Sequence, residues 1–143
     1  GTHTYSHQNL NKLSVEEIQN DISNASRIYE QTLGHKLYLV RPPYGNADIT
    51  VRRTLKYPLI EWDVDSLDWK TKNKDKILAK INEISNFDGR VILMHSIYNS
   101  TAEAVEELVP QLISKGYQLV TVSEMAKYKG TTLKTSTIYY NFR

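Results

Sequence analysis

The feature that most constrains the fold of this 143-residue chain is a regular alternation of two apolar periods. Segments with apolar residues at i, i+3, i+4 and i+7, the pattern of an amphipathic helix, alternate with short continuous apolar runs, the pattern of a buried strand. The predicted order of elements is α-β-α-β-α-β-α-β. This order favours parallel strands with helices packed outside them. We therefore predict an α/β fold and a single compact unit over residues 1–143.

Polar residues mark where the predicted helices begin. Ser14 with Glu17, and Ser100 with Glu103, each have the spacing of a capping box. Asp48 is predicted to cap a short helix between the first two strands. The remaining predictions are strands at residues 37–40, 59–64, 90–94 and 118–122, a polar loop at 65–70 and an irregular tail at 130–143.

Composition excludes several classes of protein. The net charge is +2 and no Lys/Arg run is long, so no nucleic-acid partner is predicted. There are no cysteines, which excludes a disulfide scaffold and thiolate metal ligands. No apolar run has membrane-spanning length and the N-terminus is unlike a signal peptide, so an export signal or anchor is expected on sequence outside this chain.

Polar residues cluster just after the predicted strands. Arg41, the segment 65–68 and His95 each follow the carboxyl end of a strand. In a (β/α) barrel these ends share one face, where catalytic residues gather. The apolar pattern itself is compatible with either a barrel or an open sheet.

Each cluster has an ordinary structural explanation when it is taken alone. His3 and His7 are four residues apart, which can bring two imidazoles onto one metal, yet most such pairs are structural. A lone histidine after an apolar strand, such as His95, is more often a core residue than a catalyst. The residues 41–45 read as a turn and 63–68 as a solvated loop. Four clusters in this order, supplying imidazoles, a guanidinium and carboxylates, favour a functional site instead.

The four clusters resemble the motifs of the polysaccharide deacetylases, the NodB-homology family also called carbohydrate esterase family 4. Residues 3–7 (HTYSH) resemble its metal motif H-S/T-x-x-H, and residues 41–44 (RPPY) resemble its R-x-P-Y motif. Residues 65–69 (DSLDW) resemble D-x-x-D-W, and residues 93–95 (LMH) resemble L-x-H. The longer stretch 62–70 is similar to the peptidoglycan N-acetylglucosamine deacetylases of Gram-positive bacteria.

The resemblance implies metal-dependent removal of N-acetyl groups from a polymer sugar, with release of acetate, at the bacterial cell surface or outside the cell. By this resemblance His3 and His7 bind a divalent metal, zinc in the first place, with cobalt or another divalent ion as alternatives. The metal would polarise the acetyl carbonyl and acidify the attacking water. Leu93 and Trp69 would line the pocket for the acetyl methyl group and the sugar.

The resemblance also implies the catalytic roles. Arg41 corresponds to the residue that orients the catalytic base, and the backbone N–H of Tyr44 would stabilise the oxyanion. His95 would be the general acid that protonates the leaving amine. Asp68 would pair with His95 and favour its imidazolium form.

The family has a further motif, T-F-D-D, that supplies the base and a carboxylate ligand, and this sequence contains no Asp-Asp pair. We therefore expect the chain to be the C-terminal portion of one catalytic domain, part of a distorted (β/α) barrel with its N-terminal βα units absent. We expect an N-terminal fragment of the same enzyme as a noncovalent partner, and no activity from this chain alone.

The substrate and the activity have alternatives. The polymer implied most narrowly is peptidoglycan, deacetylated at N-acetylglucosamine, while other branches of the family act on chitin or acetylated xylan. A deacetylase-like module that only binds glycan is a second alternative. An unrelated α/β protein whose motifs match by chance is a third, and it predicts histidines 3, 7 and 95 far apart.

Overall fold

The computed structural model describes residues 1–143. Its α-helices are α1 (Val15–Leu33), α2 (Ile49–Leu55), α3 (Asp68–Thr71), α4 (Lys74–Asn82), α5 (Asn99–Ser114) and α6 (Val122–Tyr128). Its strands are β1 (Leu59–Ile60), β2 (Val64–Asp65), β3 (Ile92–Leu93) and β4 (Ile138–Tyr139). None of the helices combines the length and the apolar composition of a membrane span. The chain divides into a first unit, Gly1–Glu61 with Leu133–Tyr139, and a second unit, Trp62–Thr132 with Tyr140–Arg143.

The first unit is built on parallel strand pairing. Strand β1 pairs with β4, which places Leu59 opposite Ile138. Parallel bridges join Val40 to Leu59 and Thr2 to Val40. Helices α1 and α2 share an apolar core with these strands, formed by Leu10, Ile18, Ile22, Ala25, Leu37, Val40, Val51, Leu55 and Leu59.

The second unit repeats the arrangement with different elements. Strand β2 pairs parallel with β3, so that Val64 lies opposite Ile92. Its core combines Val64 with the apolar faces of α4 and α5, namely Ile77, Leu78, Ile81, Ala104, Leu108 and Leu112. Parallel pairing in both units confirms the prediction made from the alternation of elements.

The helix signals are confirmed at two of three sites. The Ser14 side chain accepts a hydrogen bond from the Glu17 N–H, and the Glu17 carboxylate accepts one from the Ser14 N–H at 2.7 Å. Asp48 caps α2 by accepting from the Val51 N–H at 2.9 Å. Gly34 ends α1 in the left-handed region, with φ 72°, where a glycine has no steric penalty.

The predicted capping box at Ser100 is wrong. Helix α5 begins one residue earlier than Ser100, and its N-cap, Tyr98, makes no side-chain cap hydrogen bond. The Tyr98 carbonyl accepts from the Thr101 N–H, and the Thr101 hydroxyl donates to the carboxylate of Asp68 at 2.9 Å. A tertiary hydrogen bond therefore sets the start of this helix in place of a local cap.

The predicted strands at 59–64 and 90–94 are longer than the observed ones, the one at 37–40 is reduced to isolated bridges at Val40, and the one at 118–122 is wrong. Residues 59–64 divide into β1 and β2, and residues 118–121 form no strand. A strand exists only where a neighbour pairs with it, and no segment of the chain pairs with 118–121. The tail predicted to be irregular supplies β4 because the Tyr139 carbonyl accepts from the Glu61 N–H at 2.9 Å. The predicted loop at 65–70 begins with the last residue of β2 and ends inside α3.

Glu61 places a carboxyl group in the interior of the first unit. It is 2% exposed, and neither carboxyl oxygen has a hydrogen-bond partner. Burial raises the pKa of Glu61 to about 7, although the positive charge of Arg41 acts in the opposite direction. The protonated form is therefore the one that the fold favours.

Stability should fall as the pH rises through this pKa. The unfolded chain binds the proton of Glu61 with a pKa near 4.5, so the contribution of the protonated form is complete below about pH 4.5 and is lost by about pH 7. The difference corresponds to about 3 kcal/mol. Urea unfolding of the intact protein at about pH 5 and about pH 8 should show this loss, and Glu61→Gln should abolish it. Glu106→Gln, on the exposed face of α5, is the control. A loss that persists in Glu61→Gln would contradict the assignment.

Candidate active site

The first unit brings His3 and His7 together. Their ring centroids are 4.8 Å apart and their planes meet at 76°. The chain turns back because Thr4 and His7 both adopt positive φ, 69° and 54°, and the His7 N–H donates to the Thr4 hydroxyl at 3.1 Å. Both imidazoles are exposed. Two accessible rings at this separation can reach one metal ion.

A buried carboxylate on α1 fixes the turn between the two histidines. Asp21 is 8% exposed and accepts from the backbone N–H groups of Tyr5 and Ser6 at 2.8 and 2.9 Å. It also accepts from the Ser6 hydroxyl. Sequence reasoning missed Asp21, although an aspartate on the buried face of an amphipathic helix was the available signal.

A backbone carbonyl selects the tautomer of His3. Its Nδ1 lies 2.6 Å from the carbonyl oxygen of Arg41. Because a carbonyl oxygen can only accept, Nδ1 carries the proton and Nε2 keeps its lone pair. Metal-bound histidines are commonly oriented by such a second hydrogen bond.

The two histidines fit a metal site as a partial ligand set. No cluster of three or more His, Cys, Asp or Glu side chains with metal-binding geometry occurs in the structure. Two neutral imidazoles suit zinc, which requires at least one further protein ligand and an open position in a catalytic site.

Tyr44 lies in a strained turn beside the histidines. It adopts φ 63° inside the 3-10 turn Pro43–Gly45, a conformation uncommon for a residue with a side chain. Its ring meets the edge of His7 at a centroid distance of 5.1 Å. Strain of this kind concentrates at functional sites. The turn fixes the direction of the Tyr44 backbone N–H.

The second unit brings Asp68 and His95 together. His95 Nδ1 lies 2.8 Å from one carboxylate oxygen of Asp68, and the His95 backbone N–H donates to the other. The Thr101 hydroxyl and the Trp69 backbone N–H also donate to this carboxylate, at 2.9 and 2.8 Å. Asp68 is 0% exposed.

The hydrogen bonds keep Asp68 ionised. Burial opposes ionisation, but the bonds from the His95 side chain and backbone, from Thr101 and from Trp69 outweigh it and lower the pKa of Asp68. An ionised carboxylate only accepts, so His95 Nδ1 carries a proton and Nε2 is left for a substrate. The His95 side chain remains 35% exposed.

Ser66 connects the predicted pocket residue Leu93 to this network. The Ser66 hydroxyl donates to the Leu93 carbonyl at 2.7 Å and accepts from the Asp68 N–H at 3.4 Å. Leu93 is itself buried, with 3% exposure. Sequence reasoning missed both Ser66 and Thr101, since small polar residues give no distinctive pattern.

Trp69 presents an exposed ring on the same unit. It is 46% exposed, and its indole N–H donates to an Asp65 carboxylate oxygen at 3.4 Å. The other Asp65 oxygen accepts from the Leu67 N–H at 2.9 Å.

Asp63, from the same polar stretch, has a structural role instead, because it pairs with Arg90 at 3.1 Å.

Known proteins resemble this chain over most of its length. A sequence profile of the family "Polysaccharide deacetylase" matches residues 1–58. The peptidoglycan-N-acetylmuramic acid deacetylase PdaC of Bacillus subtilis is 41% identical over 90% of the chain, and the peptidoglycan-N-acetylglucosamine deacetylase PgdA of Listeria monocytogenes is 34% identical over 87%. The chain spans 27% of the length of each of these relatives.

A solved structure matches more completely. The structure described as T48 deacetylase with substrate is 38% identical, with a TM-score of 0.89 over 97% of this chain and 68% of that one. This similarity confirms the α/β fold class and the expectation of part of a distorted (β/α) barrel. Together with the four sequence motifs, these matches show that the chain belongs to the polysaccharide deacetylase family, carbohydrate esterase family 4.

Proposed function

We propose that this chain is part of a metal-dependent hydrolase that removes N-acetyl groups from N-acetylglucosamine in peptidoglycan, releasing acetate and leaving a free amine on the polymer. The observation that carries the proposal is the fully buried carboxylate of Asp68, hydrogen-bonded to the partly exposed imidazole of His95. A buried carboxylate that orients an accessible histidine is the arrangement of an acid-base catalyst. Such an enzyme would work at the cell surface or outside the cell, where its polymer lies.

His3 and His7 would hold the divalent metal, zinc in the first place. The hydrogen bond from His3 Nδ1 to the Arg41 carbonyl puts the imidazole lone pair on Nε2, the nitrogen that would bind the metal. When bound, the metal polarises the acetyl carbonyl and acidifies the attacking water. The remaining carboxylate ligand is assigned to the N-terminal segment of the same enzyme, bound noncovalently or in the same chain.

His95 would supply the proton that the reaction needs. The proton moves from His95 Nε2 to the sugar nitrogen as the bond from that nitrogen to the acetyl carbon breaks. The Asp68 carboxylate would orient the imidazole for this transfer through its hydrogen bond with Nδ1. The nitrogen therefore leaves as an amine and not as an unstable amide anion.

The remaining roles concern positioning. The backbone N–H of Tyr44 would donate to the oxyanion, since the strained turn fixes its direction. Arg41 would orient the catalytic base on the N-terminal segment. Trp69 and Leu93 would line the pocket for the sugar and the acetyl methyl group.

One observation favours the alternative of a glycan-binding module without activity. The histidines 3 and 7 form an incomplete ligand set in this chain. A binding module, however, requires no ionised carboxylate behind a histidine. The Asp68 network therefore favours the enzyme, and the two variants below distinguish the alternatives.

Asp68→Asn tests the acid. In the complete, metal-loaded enzyme, acetate release should fall by about 100-fold or more, because the amide cannot stabilise the His95 imidazolium. Metal content, measured by elemental analysis, should stay unchanged. Asp75→Asn, at an exposed position of α4, is the matched control. Loss of metal with an unchanged residual rate would identify Asp68 as a ligand and contradict its assigned role.

His7→Ala tests the metal site without reference to activity. Calorimetric titration of the complete protein with zinc should show an affinity lowered by about 100-fold, since one of the ligands is lost. His35→Ala removes another exposed histidine and should bind zinc as tightly as the unchanged protein. Equal affinities for His7→Ala and the unchanged protein would refute the assignment of this ligand.

A further inference from the structure

A lysine and the candidate acid both lie near the same aromatic ring. The ammonium of Lys72 is 5.0 Å from the centroid of the Tyr98 ring, and this ring is 6.2 Å from the ring of His95. Lys72 is the C-cap of α3, with φ 45°, and its backbone N–H donates to the Asp68 carbonyl at 2.9 Å. The residue that orients His95 thus also fixes the backbone of Lys72.

The charge of Lys72 has no carboxylate partner. Other lysines of the second unit form ion pairs, for example Lys74 with Glu107 at 3.2 Å and Lys129 with Asp88 at 2.6 Å. Lys72 is exposed and belongs to no ion pair, and its described contact is the face of Tyr98. A cation on an aromatic face keeps its charge and can still bind an anion from the solvent side.

An exposed cation that has no carboxylate partner in the protein suits a substrate that brings its own negative charge.

The surfaces around His95 suit a sugar. Trp69 is 46% exposed and Ile97 is 77% exposed, both within a few residues of the acid pair along the chain. Apolar and aromatic surfaces of this kind pack against the faces of pyranose rings. Lys72, whose ammonium has no carboxylate partner, is three residues after Trp69 in the chain. The combination fits a pyranose that carries a carboxylate.

We propose that Lys72 determines specificity by binding a carboxylate of the glycan, and that in peptidoglycan this group is the 3-O-lactyl carboxylate of N-acetylmuramic acid. The inference rests on the proposed deacetylase function and narrows its substrate. Because the sugar proposed to lose its acetyl group is N-acetylglucosamine, the bound carboxylate is on the neighbouring N-acetylmuramic acid. Chitin has no such group, so Lys72 selects peptidoglycan strands over chitin.

Two matched substrates test the inference in the complete, metal-loaded enzyme. One is a peptide-free oligosaccharide of alternating N-acetylglucosamine and N-acetylmuramic acid, and the other is the same oligosaccharide with its lactyl carboxylates converted to neutral amides. Lys72→Met should lower kcat/KM on the acidic substrate about fivefold through KM, the size of an exposed ion pair, and by less than about twofold on the amide. Lys72→Arg should keep the preference. Lys76→Met, an exposed lysine of α4, controls for net charge.

The possible results distinguish a failure of the role proposed for Lys72 from a failure of the proposed deacetylase function. Equal losses on the two substrates, or no loss on either, would overturn the role of Lys72 while acetate release upheld the deacetylase. No acetate from any substrate with the unchanged enzyme would overturn both. Mass spectrometry of the product should show that N-acetylglucosamine lost its acetyl group, and loss from N-acetylmuramic acid would contradict the placement of the bound carboxylate on the neighbouring sugar.

Discussion

The buried carboxylate of Asp68 is the interaction on which the second unit depends. It accepts hydrogen bonds from the side chain and backbone of His95, from Thr101 at the start of α5 and from the Trp69 backbone in α3. A carboxylate can be fully buried only when it is satisfied in this way. The same group therefore holds the end of strand β3, the start of α5 and the orientation of the candidate acid.

In the first unit, hydrogen bonds to a buried carboxylate and to a backbone carbonyl orient the two histidines in the same way. The carboxylate of Asp21 accepts the backbone of the turn between the two histidines, and the Arg41 carbonyl fixes the tautomer of His3. In both units a side chain proposed for chemistry is oriented by a group that is itself anchored to a helix or a strand. Such support is what gives a catalytic group a defined geometry before the substrate arrives.

Sequence reasoning succeeded where local signals decide the structure. The Ser14 box, the Asp48 cap and the parallel pairing follow from short-range patterns, and the motif residues from their order along the chain. The prediction failed where the local structure depends on a residue that is distant in the chain. The start of α5 depends on Asp68, and residues 118–121 lack a pairing neighbour. Three further residues were not predicted, because their roles depend on burial and on contacts with residues distant in the chain. These are Asp21, Ser66 and Glu61.

The ionisation of Asp68 is the central claim, and its carboxyl carbon reports it directly. A 13C NMR titration of the complete protein, with the Asp68 resonance assigned by comparison with Asp68→Asn, follows the charge of this one group as the pH is lowered. The structure predicts that Asp68 stays ionised below the ordinary aspartate pKa of 3.8, because its hydrogen bonds favour the charged form. A carboxyl group that takes up its proton above that value would contradict the account.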